Sequence, residues 1–393
     1  MDLAALIAEL QPRIAALRRD IHAHPELAFK ENRTSDLVAA ELAAAGIEVH
    51  RGLAGTGVVG VLKCGDGGNS IGLRADMDAL PLDELNDFAH RSTHAGCMHA
   101  CGHDGHTAML LGAAAALAHT RSFDGTVHFI FQPAEEHEGG GRAMVEQGLF
   151  ERFPMQKVFG LHNWPGLSAG SIAVIDGPVM AATDRFEITI EGRGGHAAMP
   201  HQAIDTIVAG SALVQAMQGL VSRETDPLEA AVVSVARFHA GGTADNILPA
   251  SAVLGGTVRA LRPEIQQALE AGLRRVCEGI AAAYRVGVRV DYEHGYPATI
   301  NAAEPSRLCV ETARQIVSEA GRGEVLTNQK PSMGAEDFAY LSQVVPGCYA
   351  WLGNGPGVGG CTLHSPRYDF NDEVIGTGIR YWVRLAERAL PKA

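Results

Sequence analysis

Four apolar, β-prone segments constrain the fold of this 393-residue chain more than any other feature. A continuous apolar run is typical of a strand buried on both faces, and alternation with helices predicts an α/β fold with a largely parallel, mixed sheet flanked by helices. The segments are SIGLRADMDALP (70–81), TVHFIFQPAEE (126–136), KVFGLHNWP (157–165) and CYAWLGN (348–354). Ligands bind such sheets beyond the carboxyl ends of the strands. We therefore expect one site to collect the polar residues found there, which are Asp76, Asp78, Glu135, Glu136 and His162, while the fourth run ends only in Asn354.

The segment from Met98 to Met109 indicates a metal site. Cys101 and His103 lie one residue apart, and a thiolate and an imidazole in a turning segment can bind one zinc, manganese, cobalt or nickel ion. Glycines within the segment allow the backbone to turn tightly. The Ala- and Leu-rich run 106–120 predicts a buried helix with both ligands at its N-terminal end, where the helix dipole favours a thiolate.

A closed structural zinc knot is a second interpretation of the same segment. Its ligands would be Cys97, Cys101, His103 and His106. Closed sites of this kind usually combine two separated ligand pairs in a small domain that lacks its own core. Here a long chain surrounds the segment and acidic motifs follow it, which favours a catalytic centre.

Composition and charge exclude several classes of protein. Hydrophobic residues make up 46% of the chain and charged residues 20%, which predicts a globular protein. A net charge of −13 without a Lys/Arg cluster argues against binding to nucleic acid or to an anionic membrane surface. The seven scattered cysteines do not resemble a disulfide framework. The N-terminal residues do not resemble a signal peptide, and the longest apolar stretch is too short to span a bilayer, so we expect a cytoplasmic location.

The length of the chain predicts two or three domains. Helical patterns cover residues 2–20 and 34–45. Between 183 and 295 the segments follow the order strand, helix, strand, strand, helix, strand, which is typical of a ferredoxin-like βαββαβ unit. We therefore expect a discontinuous catalytic domain, residues 1–182 and 296–393, that carries an inserted domain.

Two adjacent carboxylates, Glu135 and Glu136, follow the second apolar run. Neighbouring side chains of a strand point to opposite faces, so both can reach one site only if the chain turns, which Pro133 and the glycines at 139–141 favour. One carboxylate could bind a metal while its neighbour acts as the general base of a metal-assisted hydrolysis. The alternative is a solvated acidic loop.

Asp76, Asp78 and His364 are further candidates for the same site. The two aspartates are two residues apart and would face the same way in a strand, and an aspartate often orients a ligand histidine. The competing interpretation is a structural ion pair between Arg74 and one of them. His364 lies in a Gly- and Pro-rich loop, where a single histidine usually has no special role. It becomes a candidate only as the donor that completes the ligands of a binuclear metal site.

Polar residues of the predicted inserted domain are candidates for substrate contacts. His196 and His201 flank a tight turn before a helix, and Asn246 and Arg259 lie in or near apolar strands. A hydrolase needs a donor for the tetrahedral oxyanion and a cation for a substrate carboxylate. The alternatives are a helix cap for the histidines and an edge-strand salt bridge for Arg259.

Two other motif matches fail on their context. Gly55–Gly60 matches the dinucleotide-binding pattern G-x-G-x-x-G, but a β-prone run follows where that site needs a helix. Gly166–Gly170 matches the nucleophile elbow of serine hydrolases, and a β-prone run again follows it. We interpret both segments as turns.

Nine motifs spread over nearly the whole chain resemble those of the aminoacylase and hippurate hydrolase family of binuclear, metallopeptidase-like amidohydrolases. They are HAHPELAF, GLRADMDALP, MHACGHDGH, FQPAEE, GLHNWP, RGGHAAMPH, DNILP, MGAEDF and LHSPRYDFND. The metal loop has a cysteine where other members have an aspartate. In this respect the chain resembles the branch that contains hippurate hydrolases, N-acetyldiaminopimelate deacetylases and plant auxin-conjugate hydrolases.

The resemblance implies a role for each matching residue of the catalytic domain. Two divalent ions, of zinc, manganese, cobalt or nickel, would be bound by Cys101, His103, Glu136, His162 and His364. Glu135 would be the general base and Asp78 would orient the site. Asp76 stands where other branches have a histidine ligand, which leaves the preferred metal open.

The resemblance also implies that the inserted domain is a mobile lid. His196 would donate to the oxyanion, in its own subunit or across a dimer, and Asn246 and Arg259 would contact the substrate. Because such lids usually dimerise, a homodimer or homotetramer is expected.

The sequence therefore predicts a hydrolase that cleaves the amide bond of N-acyl-L-amino acids, such as N-benzoyl or N-acetyl amino acids. The products would be a carboxylic acid and a free amino acid. An alternative is a dipeptidase or aminopeptidase on the same scaffold, whose substrate carries a free amino group. A non-catalytic binder of acylated amino acids and an inert metal-stapled protein are further alternatives, against which the presence of Glu135 beside every expected ligand argues.

Overall fold

The computed structural model describes residues 2–136, 138–356 and 360–392. The chain divides into two compact units. The first comprises residues 1–177, 300–330 and 337–393, and the second comprises residues 178–299 and 331–336. In the part of the chain that the structure describes, no helix has the length and apolar character needed to cross a membrane.

The helices alternate with strands along much of the chain. They are α1 (Leu3–Ala23), α2 (Asn32–Ala44), α3 (His103–Thr120), α4 (Gly140–Glu146), α5 (Leu149–Arg152), α6 (Thr206–Gly219), α7 (Pro263–Tyr284), α8 (Ala303–Ala320), α9 (Phe338–Val344) and α10 (Ile375–Ala389). The strands are β1 (Glu48–Leu53), β2 (Gly57–Cys64), β3 (Ser70–Asp76), β4 (Gly125–Gln132), β5 (Lys157–Trp164), β6 (Ile172–Ala173), β7 (Gly177–Met180), β8 (Ala182–Glu191), β9 (Gly195–His196), β10 (Ala231–Ala240), β11 (Ile247–Leu248), β12 (Ser251–Ala260), β13 (Gly287–His294), β14 (Thr299–Asn301), β15 (Val325–Leu326) and β16 (Gly347–Gly353).

The first unit contains an eight-stranded sheet in the order β1-β2-β4-β3-β5-β16-β6-β15. Its central strands β4, β3, β5 and β16 are parallel, whereas β1 and β2 add antiparallel pairs at one side. Every residue of β3 and β16 is buried, as expected for strands covered on both faces. The predicted α/β fold with a largely parallel, mixed sheet is therefore confirmed.

Helix α3 differs in one respect from its prediction. It begins at His103 rather than at residue 106, and it packs against α1 and α10 in the core of the first unit. Most of its residues are buried, so its apolar character extends around the whole helix. The histidine of the metal loop therefore lies in the first helical turn.

The second unit contains a four-stranded antiparallel sheet in the order β10-β12-β8-β13. Along the chain its elements run β8, α6, β10, β12, α7, β13, which is the predicted βαββαβ order. Alternate residues of β8 are buried, so one face of this strand forms the core of the unit.

Two minor interpretations of this segment were wrong. Strand β12 lies inside the sheet, so Arg259 is not on an edge strand, and its Nη1 donates to the carbonyl of Met333 at 2.9 Å rather than to a carboxylate. The N-terminus of α6 is capped by Asp205, whose side chain accepts hydrogen bonds from two backbone amides. His196 and His201 therefore do not cap this helix.

The two segments interpreted as turns lead into strands, as their patterns predicted. In Gly55–Gly60 only Gly55 and Thr56 belong to a turn, because β2 already begins at Gly57. A turn at Gly166–Gly170 leads into the short strand β6. A helix N-terminus, which both nucleotide binding and a nucleophile elbow require, is lacking at each of these described segments.

Candidate metal centre

The metal loop and the start of α3 are fixed by the close approach of β5. Gly102 precedes the helix with φ = 92°, and a Cβ atom there would lie 2.2 Å from Asn163 Oδ1. Only glycine fits both the left-handed backbone and this approach. Consequently Cys101 and His103 are held at the carboxyl end of the central strands.

The structure brings all five predicted ligands and Glu135 into overlapping groups of donor atoms. Within each group the donors lie no more than 4.8 Å apart, and the groups are Cys101 with His103 and His162, Cys101 with Glu136 and His364, and His103 with Glu135 and Glu136. Cys101 Sγ lies 3.4 Å from His162 Nε2, and His364 Nε2 lies 3.2 Å from Glu136 Oε1. Every predicted ligand thus shares a group with Cys101 or His103.

The donors in these groups fit a divalent transition metal. A thiol sulfur, imidazole nitrogens and carboxylate oxygens together are typical ligands of zinc and related ions. His103 Nε2 is buried and makes no hydrogen bond. A buried polar nitrogen of this kind normally has a partner, and a metal ion would supply one.

Asp78 orients His103 and also the turn that follows β4. Its side chain is buried, and both its backbone oxygen and Oδ1 accept from His103 Nδ1, at 2.9 and 3.2 Å. Because Nδ1 is the donor in these contacts, Nε2 is the ring nitrogen that remains for a metal ion. Asp78 Oδ2 accepts from the backbone amide of Glu136 at 2.9 Å, so one carboxylate fixes parts of two different segments.

Whereas Asp78 orients His103, Asp76 forms the ion pair with Arg74 that was the competing interpretation. Its Oδ2 accepts from Arg74 at 2.6 Å and lies 3.8 Å from His103 Nε2. Although Asp76 is buried, the charges of His103 and Arg74 hold its pKa well below its usual range. The carboxylate is therefore an anion that neutralises part of the positive charge of its neighbours.

The ionisable ligands respond to burial and to one another. Burial opposes the charged form of His103, but the charge of Asp76 outweighs it and raises the pKa of His103 well above its ordinary value. Burial, together with the charge of His106, holds the pKa of His162 well below its ordinary value. Burial and the nearby Glu136 raise the pKa of the Cys101 thiol, so metal binding there must displace a proton.

The two glutamates do not form a solvated acidic loop, which was the alternative interpretation. Glu135 is buried, and the Glu136 side chain is only 8% exposed. The chain turns directly after β4, where Ala134 has a left-handed backbone with φ = 55°. This turn lets adjacent side chains reach the same group of donors.

Asn163 was missed as a member of the site, and His106 was named only as a ligand of the alternative zinc knot. His106 Nδ1 donates to Asp76 Oδ1 at 2.5 Å, and its Nε2 lies 2.6 Å from Asn163 Oδ1. His106 is one helical turn after His103, a spacing that places both rings on one face of α3 and could have indicated it. Cys97 belongs to none of the donor groups formed by the described residues, so the zinc-knot interpretation is not supported.

A buried ionic network adjoins the metal loop and was also missed. We call Arg18, His22, Asp104, Asp369 and Asp372 the Arg18 network. The guanidinium of Arg18 is 1% exposed and donates to Asp369 at 2.7 Å, to Asp372 at 2.8 Å and to Asp104 at 3.2 Å. His22 Nδ1 donates to Asp104 Oδ2 at 2.8 Å. Since Asp104 directly follows His103, the network fixes the first turn of α3.

The charge of His22 predicts a pH-dependent stability. Burial disfavours the imidazolium, but the hydrogen bond to Asp104 outweighs it and raises the pKa of His22 to about 9. In the unfolded chain the pKa is about 6.5. A histidine whose pKa is higher in the folded chain than in the unfolded chain stabilises the fold. This contribution is complete at pH values below the unfolded pKa, and it is lost as the pH rises towards 9.

We therefore expect His22→Gln to reduce stability strongly at pH 6 and much less at pH 9.5. Urea unfolding followed by tryptophan fluorescence measures this, because Trp164, Trp351 and Trp382 all belong to the first unit. An equal difference between wild type and variant at both pH values would contradict the expectation.

The remaining predicted residues belong to the second unit. His196 is exposed on β9, where its Nδ1 accepts from the backbone amide of Ala198 at 3.0 Å. Asn246 is exposed, and its backbone oxygen accepts from Ala197 at 3.0 Å. Arg259 is half-buried on β12. Their roles in substrate binding stay predictions.

Comparison with known proteins identifies the family. Residues 72–388 match the profile of peptidase family M20/M25/M40. The chain is 41% identical to the hippurate hydrolase of Campylobacter jejuni over 390 residues, which cover 99% of this chain and 100% of that protein. It is 38% identical to the N-acetylcysteine deacetylase of Bacillus subtilis over 376 residues, covering 95% and 96% of the two chains.

A solved structure from Bacillus subtilis, described as a dinuclear metal binding peptidase from the M20 family, is similar over nearly its full length. It has a TM-score of 0.85 and 35% sequence identity, and the match covers 98% of this chain and 100% of that one. Together with the donor groups at the carboxyl ends of the central strands, these relatives show that the chain belongs to peptidase family M20/M25/M40 and is a metal-dependent amidohydrolase.

Proposed function

We propose that this enzyme hydrolyses the amide bond of N-acyl-L-amino acids, with hippurate-like and N-acetyl amino acids as the substrate class. The observation that carries the proposal is the placement of the buried Glu135 in one donor group with His103 and Glu136. Relatives named as a hippurate hydrolase and an N-acetylcysteine deacetylase support this class of substrate.

We assign two divalent ions to the site, with Cys101, His103, Glu136, His162 and His364 as their ligands. When bound, such ions polarise the amide carbonyl and lower the pKa of water. Glu135 accepts the proton of the attacking water at a carboxylate oxygen and returns it to the amide nitrogen as the C–N bond breaks. Asp78 keeps His103 in the tautomer that leaves Nε2 available.

The second unit is proposed to act as the lid and dimerisation domain, within residues 183–295. His196 would donate a hydrogen bond to the tetrahedral oxyanion, and Asn246 and Arg259 would contact the substrate. The exposure of His196 and Asn246 is compatible with contact to a ligand.

The proposal is tested by measuring release of free amino acid from N-benzoyl, N-acetyl and indole-acyl amino acids beside free dipeptides, with and without a chelator. We expect chelator-sensitive cleavage of the acylated compounds. Cleavage of dipeptides alone would instead assign a peptidase, and metal binding without turnover of either set would identify a binder.

A further inference from the structure

Glu31 is a fully buried carboxylate outside the donor groups, and its contacts lead directly to the catalytic turn. Its Oε1 accepts from the backbone amides of Phe29 at 3.0 Å and Ala134 at 2.9 Å. Its Oε2 accepts from the hydroxyl of Thr56 at 2.6 Å. The residue is 0% exposed. Ala134 immediately precedes Glu135.

The turn that Glu31 contacts has an unfavourable backbone. Ala134 has φ = 55°, a left-handed conformation that residues with a Cβ atom rarely adopt and that needs support from its surroundings. Both polar groups of its backbone are bonded, since the amide donates to Glu31 and the carbonyl accepts from Gly140 at 2.9 Å. The amide of Glu136 donates to Asp78 Oδ2 at 2.9 Å. Two buried carboxylates therefore hold the turn on either side of Glu135.

We propose that Glu31 is a positioning residue, which holds the 133–136 turn in the conformation that brings Glu135 and Glu136 to the metal centre. The inference rests on the proposed function for the role of Glu135, but the position of Glu136 as a metal ligand gives it an independent readout. Its side chain bonds the backbone of Phe29 and Ala134 and the hydroxyl of Thr56, so it acts on Glu135 through the backbone of Ala134.

Capping of helix α2 does not explain the burial of Glu31. Although Glu31 directly precedes α2, its side chain makes no capping hydrogen bond. That function is performed by Glu26, whose carboxylate accepts from the backbone amides of Arg33 at 3.0 Å and Thr34 at 2.8 Å. Glu26 thus has a local structural role, whereas Glu31 contacts a residue that lies 103 positions along the chain.

The test compares Glu31→Asp with Glu26→Asp in the full chain. Each substitution keeps the carboxyl group and withdraws it by one methylene. For Glu31→Asp we expect kcat to fall about tenfold or more with little change in KM, and Mn²⁺ to bind about tenfold more weakly, because residues that orient ligands typically contribute about 10- to 100-fold to metal affinity or activity. For Glu26→Asp we expect a lower melting temperature with kcat and Mn²⁺ affinity unchanged.

A second substitution tests the route through the backbone. Glycine adopts positive φ without strain, so Ala134→Gly added to Glu31→Asp should restore part of the lost kcat and Mn²⁺ affinity. Glu31→Gln keeps an amide oxygen that can accept from Ala134, whereas Glu31→Leu has no acceptor. We therefore expect Glu31→Gln to lose less kcat and less Mn²⁺ affinity than Glu31→Leu. If Glu31→Leu does not fold, the aspartate and glutamine variants decide the question.

The proposal is overturned if Glu31→Asp keeps both kcat and Mn²⁺ affinity within twofold of wild type. It is also overturned if the effects of Glu31→Asp equal those of Glu26→Asp. If the wild-type enzyme hydrolyses no acylated amino acid, the proposed function fails, but the Mn²⁺ titrations of the two variants still decide the role of Glu31.

Discussion

Glu135→Gln should lower kcat for an N-acyl amino acid by about 10²- to 10⁴-fold, the range that general acid and base groups contribute. The amide has nearly the same shape as the carboxylate but cannot take a proton from water or return it to the leaving nitrogen. Glu136 and the other proposed ligands are unchanged, so the metal content of the purified variant should match that of wild type. Steady-state kinetics and elemental analysis of the same preparation measure both quantities.

Glu138→Gln is the matched control, because Glu138 is exposed, lies three residues along the chain and undergoes the same change of charge. We expect its kcat to equal that of wild type. Full turnover by Glu135→Gln would remove Glu135 from the mechanism. Loss of metal in that variant would instead make Glu135 a ligand.

Arg18→Met should destabilise the first unit by about 3–5 kcal/mol, which is the typical cost of removing one partner of a buried ion pair. The guanidinium is 1% exposed, and the substitution would leave the buried Asp104 with His22 as its remaining hydrogen-bonded cation. Asp369 and Asp372 would lose the same partner. Urea unfolding monitored by tryptophan fluorescence measures the free energy of unfolding of this unit.

Arg19→Met provides a comparison on the same helix. Arg19 also bonds Asp372, at 2.7 Å, but its side chain is 54% exposed. Exposed ion pairs contribute about 0–1 kcal/mol, so this variant should unfold close to wild type. Similar effects of both substitutions would show that burial does not determine the cost of losing Arg18.

The parts of the molecule that could be predicted from sequence depend on local patterns. The apolar runs around β3, β4 and β5 identified the central strands, because strands buried on both faces require continuous apolar sequence. Cys101 and His103 were recognisable because both donors lie within one short turning segment. The wrong start of α3 has a local cause as well, since Gly102 and Gly105 obscured the helix boundary.

The residues that were missed depend on contacts between distant parts of the chain. Arg18 resembles any charged residue of an amphipathic helix, and its partner Asp372 lies 354 residues away. Glu31 gives no local signal, because its importance depends on the backbone angle of Ala134. Edge position could not be assigned to β12, since strand order is set by tertiary pairing rather than by sequence order.

The discontinuous first unit determines when the metal centre can be completed during synthesis. A chain emerges from the ribosome with its N-terminus first, so Cys101, His103, Glu136 and His162 are made before the whole second unit. His364, Asp369 and Asp372 follow it. A nascent chain therefore carries a partial set of metal donors beside an arginine that still lacks two of its three acidic partners. Tight capture of metal should come at the end of folding rather than guide its beginning.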